Sequence, residues 1–114
     1  MALDLKKLLT DMVEFNASDL HIKGGAVPIY RVDGELSPAQ PPPVMREEAQ
    51  AAAEKIIPQQ LIDHFKEHGA VDFAFSIDPV NRFRTNAFHQ RGVVSIALRR
   101  LAYALGIGVL IGLE

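Results

Sequence analysis

Residues 71–100 constrain the fold of this chain more than any other part of the sequence. They contain three runs with strand character, separated only by the turn-forming stretches 78–81 and 90–92. The first run alternates cleanly, with large apolar side chains at Val71, Phe73, Phe75 and Ile77. Such alternation is typical of a strand that buries one face. Because the connections are short, the three strands are predicted to pair as an antiparallel meander.

The residues before this meander predict three helices and three further strands. The helices are expected at 3–15, 45–57 and 58–67, and the strands at 19–22, 27–32 and from 35 onward. Asp33 and Gly34 lie between two strand-like runs, which favours a tight hairpin turn. Four prolines within residues 37–43 exclude a helix or a central strand and indicate an extended connector. The chain is therefore predicted to be α+β, of order α-β-β-β-α-α-β-β-β, with helices on one face of a largely antiparallel sheet.

Length, charge and composition narrow the class of protein. The 114 residues suffice for one self-contained core, and the formal net charge of -2 argues against a protein that wraps nucleic acid. No cysteine is present, which excludes a disulfide framework, a zinc finger and a cysteine nucleophile. The apolar stretch 101–113 is too short to span a bilayer, which needs about 20 residues.

A histidine pair near the end of the third predicted helix matches a metal-binding pattern. His64, Glu67 and His68 fit the H-x-x-E-H arrangement of zinc proteases, in which two histidines one turn apart hold the metal. A third protein ligand would have to come from elsewhere in the chain. A polar helix end, with a histidine near the C-terminal dipole, is the favoured interpretation.

Two further patterns are incomplete as functional motifs. Gly24 and Gly25 are not part of a phosphate-binding loop motif and predict a turn. Ser18, Asp19 and His21 lie close together in the sequence, but no nucleophile elbow accompanies them. Capping and solvated roles are therefore favoured for these three side chains.

Half of the 12 basic residues are arginines in or beside predicted strands: Arg31, Arg82, Arg84, Arg91, Arg99 and Arg100. Arg82 and Arg84 share one face of their strand, and Arg99 lies at the end of the next one. Guanidinium groups gathered on a sheet suit multidentate recognition of phosphate. Surface ion pairs with the 14 Asp and Glu residues would explain the same arginines, and spacing alone favours that interpretation.

Two separate stretches resemble one family of motor proteins. The first reads Ala17-Ser18-Asp19-Leu20-His21-Ile22, then Gly25, Pro28 and Arg31-Val32-Asp33-Gly34-Glu35-Leu36. The second comprises Asp72-Phe73-Ala74-Phe75-Ser76, the run 82–88, Gln90-Arg91-Gly92 and Ala97-Leu98-Arg99. In this order they are similar to the start of the type IV pilus and type II secretion motor ATPases, and most similar to the pilus-retraction (twitching motility, PilT-type) branch. The resemblance covers about residues 3–100.

The resemblance implies that residues 1–100 form a PAS-like N-terminal domain, which a RecA-like motor domain with the Walker motifs follows in the full protein. Members of the family form homo-hexamers and use ATP and Mg. They work in the cytoplasm, at the inner membrane through the pilus machinery. The fragment alone is then expected to bind no cofactor and no nucleic acid, and to have no enzymatic activity.

The resemblance also implies roles for particular residues. Arg84 and Arg99 match arginines that approach the nucleotide held by a neighbouring motor domain, so they are expected to contact phosphate in the assembled ring. Interface or fold roles are implied for Arg31, Asp33, Gly34, Arg82 and Arg91. No metal ligand is implied.

Residues 101–114 depart from the family, which usually continues into a polar linker that contains proline. This apolar tail is expected to lead toward the absent motor domain, and Leu113-Glu114 resemble a pair left by a cloning site. Two other interpretations stay open. One is a free-standing PAS-like sensor of a small ligand, or an interaction module, and the other is a membrane-peripheral module that uses the tail.

Overall fold

The computed structural model describes residues 3–101, so the predicted tail beyond Leu101 lies outside the described residues. The α-helices are α1 (Leu5–Glu14), α2 (Arg46–Ile56) and α3 (Ile62–His68), and a short 3₁₀ helix (Gln59–Leu61) precedes α3. The strands are β1 (Asp19–Lys23), β2 (Ile29–Val32), β3 (Glu35–Pro38), β4 (Ala70–Ser76), β5 (Arg82–Gln90) and β6 (Val93–Arg100). This is the predicted α+β order. None of the helices within residues 3–101 combines the length and the apolar character needed to cross a membrane.

The six strands form one antiparallel sheet in the order β3-β2-β1-β6-β5-β4. The predicted meander of β4, β5 and β6 is confirmed, with Arg84 opposite Arg99 in its register. β6 also pairs with β1, where Leu20 lies opposite Leu98. This long-range pairing places β1 in the middle of the sheet, although it lies near the start of the chain.

The helices cover one face of the sheet. The helical side chains in the core are Leu9, Met12, Ala49, Ala53 and Phe65, all buried. The strands contribute Leu20, Ile22, Tyr30, Val71, Phe83, Ala87, Val94, Ile96 and Leu98. Because paired residues of a sheet point to the same side, the register puts all of these strand residues on one face. The alternate residues form the opposite face, which we call the open face.

Tyr30 on β2 connects α1 with the sheet. Its hydroxyl donates a hydrogen bond to the Leu8 carbonyl oxygen at 2.8 Å, and the ring of Phe15 meets its ring edge-on at 5.9 Å between centroids. Burial, reinforced by the nearby Asp11 carboxylate, raises the pKa of Tyr30 to about 12. The hydroxyl therefore keeps its proton and remains a donor to α1 at neutral pH.

Two hairpins close through two-residue loops in the left-handed conformation. The φ angles are 51° at Asp33 and 82° at Gly34, and 56° at Arg91 and 77° at Gly92. Positive φ at both central positions defines the turn type whose twist matches that of paired strands. The hairpin predicted at Asp33 and Gly34 is thus confirmed.

Prolines explain most of the differences between the predicted and observed boundaries. β2 begins at Ile29 rather than at residue 27, because the nitrogen of Pro28 cannot donate a hydrogen bond to the sheet. β3 extends into the predicted connector as far as Pro38, which is tolerated since β3 is an edge strand. The predicted helix 58–67 was wrong at its start. Pro58 is extended, with ψ of 141°, and the helical turns begin at Gln59.

Candidate functional site

A row of charged side chains crosses the open face. Arg84 on β5 lies opposite Arg99 on β6, and Arg99 lies opposite Asp19 on β1. On its other side Asp19 lies opposite Arg31 on β2. We call these four residues the arginine row. Neighbouring strands are about 4.8 Å apart, so adjacent members of the row are close enough to interact.

Asp19 and Arg99 form an ion pair at the centre of the row. Arg99 Nε donates a hydrogen bond to Asp19 Oδ1 at 2.9 Å, and Ser18 Oγ donates to Asp19 Oδ2 at 2.7 Å. The two side chains differ sharply in exposure, since that of Asp19 is 10% exposed whereas that of Arg99 is 73% exposed. The carboxylate is therefore part of the sheet, and the guanidinium lies over it toward solvent.

The surroundings of Asp19 keep it ionised. Burial alone would raise the pKa of Asp19, but the hydrogen bonds from Ser18 and Arg99 and the positive charge of Arg99 outweigh it. The pKa of Asp19 lies below its ordinary value as a result. At neutral pH the row therefore carries one negative charge among three arginines.

Arg84 is exposed and has a different environment. Its register neighbours are Ala74 on β4 and Arg99 on β6, so the charged side chain directly opposite it has the same sign. Within residues 3–101, Arg84 takes part in no ion pair and no side-chain hydrogen bond. The arginine row has three positive charges and one negative charge, and two of its guanidinium groups are adjacent. This excess of positive charge favours the binding of an anion.

Arg31 and Arg82 lie on the same face of the sheet as Arg84 and Arg99. Arg31 Nη1 donates to the carbonyl oxygen of Gly34 at 2.9 Å, which binds Arg31 to the hairpin turn that follows it. Arg82 lies two residues from Arg84 on the same face of β5 and is exposed. The structure thus brings together four of the six predicted arginines and places Asp33 and Gly34 beside one of them.

The other two arginines of the predicted set lie elsewhere. Arg91 occupies a left-handed turn position, seven residues from Arg84, which is about 23 Å along the strand at 3.3 Å per residue. Arg100 points to the face opposite that of Arg99, and its Nη1 donates to Asn16 Oδ1 at 3.1 Å. These two side chains cannot reach the same small anion as Arg84 and Arg99.

The histidine pair lies on α3, away from the open face. The rings of His64 and His68 stack with centroids 4.3 Å apart, and His68 Nδ1 lies 3.2 Å from the His64 carbonyl oxygen. Across residues 3–101 no group of three or more His, Cys, Asp or Glu side chains is arranged to hold a metal ion.

The role of Asp19 is the feature that sequence reasoning missed. Ser18 donates its hydroxyl to Asp19 rather than to His21, so the three residues do not form a nucleophile and base. Asp19 is also buried, whereas the sequence pattern favours a solvated side chain. The sequence does show a charged residue within a strand-like run at Asp19. Its partner Arg99 could not be identified from the sequence, because it lies 80 residues away.

Known proteins resemble this chain over most of its length. No family model matches it. The type IV pilus ATPase PilU of Pseudomonas aeruginosa is 34% identical over 99 residues, which cover 87% of this chain and 26% of PilU. The type IV pilus retraction ATPase PilT of the same species is 35% identical over 88 residues, which cover 77% of this chain and 26% of PilT.

A solved structure agrees with these sequence matches. The crystal structure of the pilus retraction motor PilT with bound ADP superposes with a TM-score of 0.80 at 34% identity, and the match covers 88% of this chain and 29% of that one. The chain thus spans between a quarter and a third of the length of the proteins that it matches. It is homologous to the N-terminal region of the PilT and PilU type IV pilus ATPases.

Proposed function

We propose that this chain is a non-catalytic N-terminal domain of a hexameric type IV pilus retraction ATPase. In that assembly it packs against RecA-like motor domains of its own and neighbouring subunits. Its open face supplies Arg84 and Arg99 to the phosphate groups of a nucleotide that a motor domain holds. The observation that carries the proposal is the register of these two arginines, which lie side by side on β5 and β6.

The charge balance of the open face supports this role. Asp19 is the only acidic member of the arginine row, and its oxygens already accept hydrogen bonds from Ser18 and Arg99. The positive charge of Arg84 is therefore not offset within the row. Phosphoryl transfer spreads negative charge over the transferred group, and guanidinium groups aimed at that charge lower the barrier.

The remaining parts of the proposed activity belong to the motor domain. ATP and Mg would be held there, and the ring would act in the cytoplasm, at the inner membrane through the pilus machinery. Homology to the pilus ATPases supports this placement. Arg31, Arg82, Arg91, Asp33 and Gly34 are proposed to act in the fold or in the interface with the motor domain.

A hybrid protein tests the proposal. Residues 3–101 replace the matching region of P. aeruginosa PilT, and kcat and KM for ATP are measured on the purified ring. We expect Arg84→Ala and Arg99→Ala each to lower kcat at least about tenfold, because each removes a charge that the transition state needs.

Lys66→Ala is the matched control, since Lys66 is an exposed cation on α3, on the other side of the sheet. It should leave kcat unchanged. Equal kcat values for Arg84→Ala, Arg99→Ala and Lys66→Ala in an intact ring would contradict the proposed role of the arginines.

A groove beside α1 keeps the small-ligand sensor as a second candidate. It measures about 660 Å³ and is lined in part by Leu8, Phe15, Tyr30 and Pro42. This volume falls within the usual range of small-molecule pockets. Mass spectrometry of the purified chain, native and then denatured, tests the idea. A bound small molecule in stoichiometric amount would favour the sensor, and its absence would count against it.

A further inference from the structure

Asp19 is held more firmly than the arginines that surround it. Its two carboxylate oxygens accept hydrogen bonds from different residues, Ser18 Oγ at 2.7 Å and Arg99 Nε at 2.9 Å. Its side chain is only 10% exposed, so neighbouring strands enclose it. A buried carboxylate with both oxygens engaged has little freedom to turn, and it provides a fixed acceptor for the side chain above it.

The contact with Arg99 uses one particular nitrogen. A guanidinium group has five N–H donors in a planar fork, and the bond to Asp19 involves the donor at Nε. The four N–H groups on the two terminal nitrogens are not part of this bond. Because 73% of the Arg99 side chain is exposed, the terminal end of the fork is open to solvent and to any partner that covers the open face.

An anchor of this kind reduces the side-chain entropy that Arg99 loses when it binds an anion. A free arginine side chain loses many accessible rotamers when it binds an anion. An arginine side chain whose Nε is already held by a hydrogen bond loses fewer. Arg84 has no such anchor in its register, since the residues opposite it are Ala74 on β4 and Arg99 on β6. Before an anion binds, the Arg99 side chain is thus more ordered than the Arg84 side chain.

We propose that Asp19, held in place by Ser18, is a positioning residue for Arg99. It orients the guanidinium so that both terminal nitrogens face the phosphate groups of a nucleotide bound by a motor domain. The identity of that anion rests on the proposed function. The ordering of Arg99 by Asp19 is a property of this chain alone, so the two ideas can be tested separately.

The first measurement uses the full 114-residue chain without nucleotide. NMR relaxation at the arginine Nε–Hε groups reports the order of each side chain. We expect an order parameter of about 0.8 for Arg99 in the wild type and below about 0.6 in Asp19→Ala, the value of a flexible group. Asp19→Asn retains an oxygen acceptor and should give an intermediate value. Arg84 should have a value below about 0.6 in all three proteins.

The second measurement uses the PilT hybrid. Asp19→Ala should lower kcat by about three- to tenfold, less than Arg99→Ala, and Asp19→Asn should recover part of the loss. If Asp19 acts through Arg99, then Asp19→Ala should cause no further loss in a protein that already carries Arg99→Ala.

The outcomes separate the two ideas. Unchanged activity in Arg99→Ala overturns the proposed function, whatever the order of the Arg99 side chain. An Arg99 order parameter that is the same in the wild type and in Asp19→Ala overturns the positioning role. So does an activity loss in Asp19→Ala that persists undiminished in the Arg99→Ala background, because a purely structural effect would behave in that way.

Discussion

At the scale of single residues, the open face depends on a buried charge. Taking a carboxylate out of water is unfavourable unless donors replace the lost water. Ser18 and Arg99 are those donors for Asp19, and together they hold its pKa below the ordinary value despite burial. Removing Arg99 would leave the carboxylate enclosed with one donor instead of two.

Arg99→Ala should therefore lower the free energy of unfolding by about 1 kcal/mol at neutral pH, a modest value because Arg99 is exposed. The pKa of Asp19 is lower in the folded than in the unfolded state, so its stabilisation is present above the unfolded value of 3.8. The stabilisation is lost as the pH falls through the folded pKa. Urea unfolding of both proteins at about pH 7 and about pH 3 should show the difference shrinking toward zero.

Arg82→Ala is the control for this prediction. Arg82 is exposed on the same face and is part of no ion pair within residues 3–101. Its effect on stability should be small and independent of pH. A stability difference for Arg99→Ala that stays constant down to pH 3 would count against the charged pairing of Asp19.

At the scale of elements, the tight hairpins set which strand residues face each other. The turn between β5 and β6 places both of its residues at positive φ, 56° at Arg91 and 77° at Gly92. Its length and type fix the register that pairs Arg84 with Arg99 at the far end of the two strands. A turn at one end of the hairpin thus aligns the arginines at the other end.

Gly92→Ala should lower the free energy of unfolding by about 1 kcal/mol. A Cβ built at Gly92 meets no atom within 4 Å, so the cost comes from the left-handed backbone and not from a clash. Arg91→Ala changes an exposed residue that already has a Cβ in the same turn, and it should alter stability by less than about 0.5 kcal/mol. Chemical denaturation measures both, and equal effects would refute the conformational explanation.

At the scale of the whole molecule, the division of the sheet into a helix-covered face and an open face decides which apolar residues hold the fold together. Phe83 and Phe88 lie on the same strand but on opposite faces. Phe83 is fully buried beneath the helices, whereas Phe88 is half-buried on the open face. The two residues have the same chemistry and differ in their surroundings.

Phe83→Ala should lower the free energy of unfolding by about 3–5 kcal/mol, a large part of the stability of a domain of this size. Phe88→Ala should cost less than about 2 kcal/mol, since less apolar surface returns to water. Urea unfolding of the two variants gives the comparison. If Phe88→Ala proved the more damaging change, the assignment of the core to the helix-covered face would be wrong.

Much of this architecture could be read from short stretches of sequence. The alternation from Val71 to Ile77 predicted β4, and the pair Asp33-Gly34 predicted the β2–β3 hairpin, because each signal depends on neighbouring residues. The sequence also predicts a set of six arginines, four of which lie on the open face, whereas Arg91 and Arg100 lie elsewhere. The start of the helix after Pro58 could not be predicted in the same way, since a proline there is compatible with either a helical or an extended backbone.

The sequence by itself therefore determined the elements, the meander and the identity of the arginines, because these follow from periodicity and turn chemistry along the chain. Only the tertiary structure decided that β1 pairs with β6, which inserts Asp19 between Arg99 and Arg31. That pairing joins residues 80 positions apart, and no local pattern selects one distant strand over another. The physical result is a buried carboxylate that holds an exposed arginine, a contact made by the sheet rather than by either strand alone.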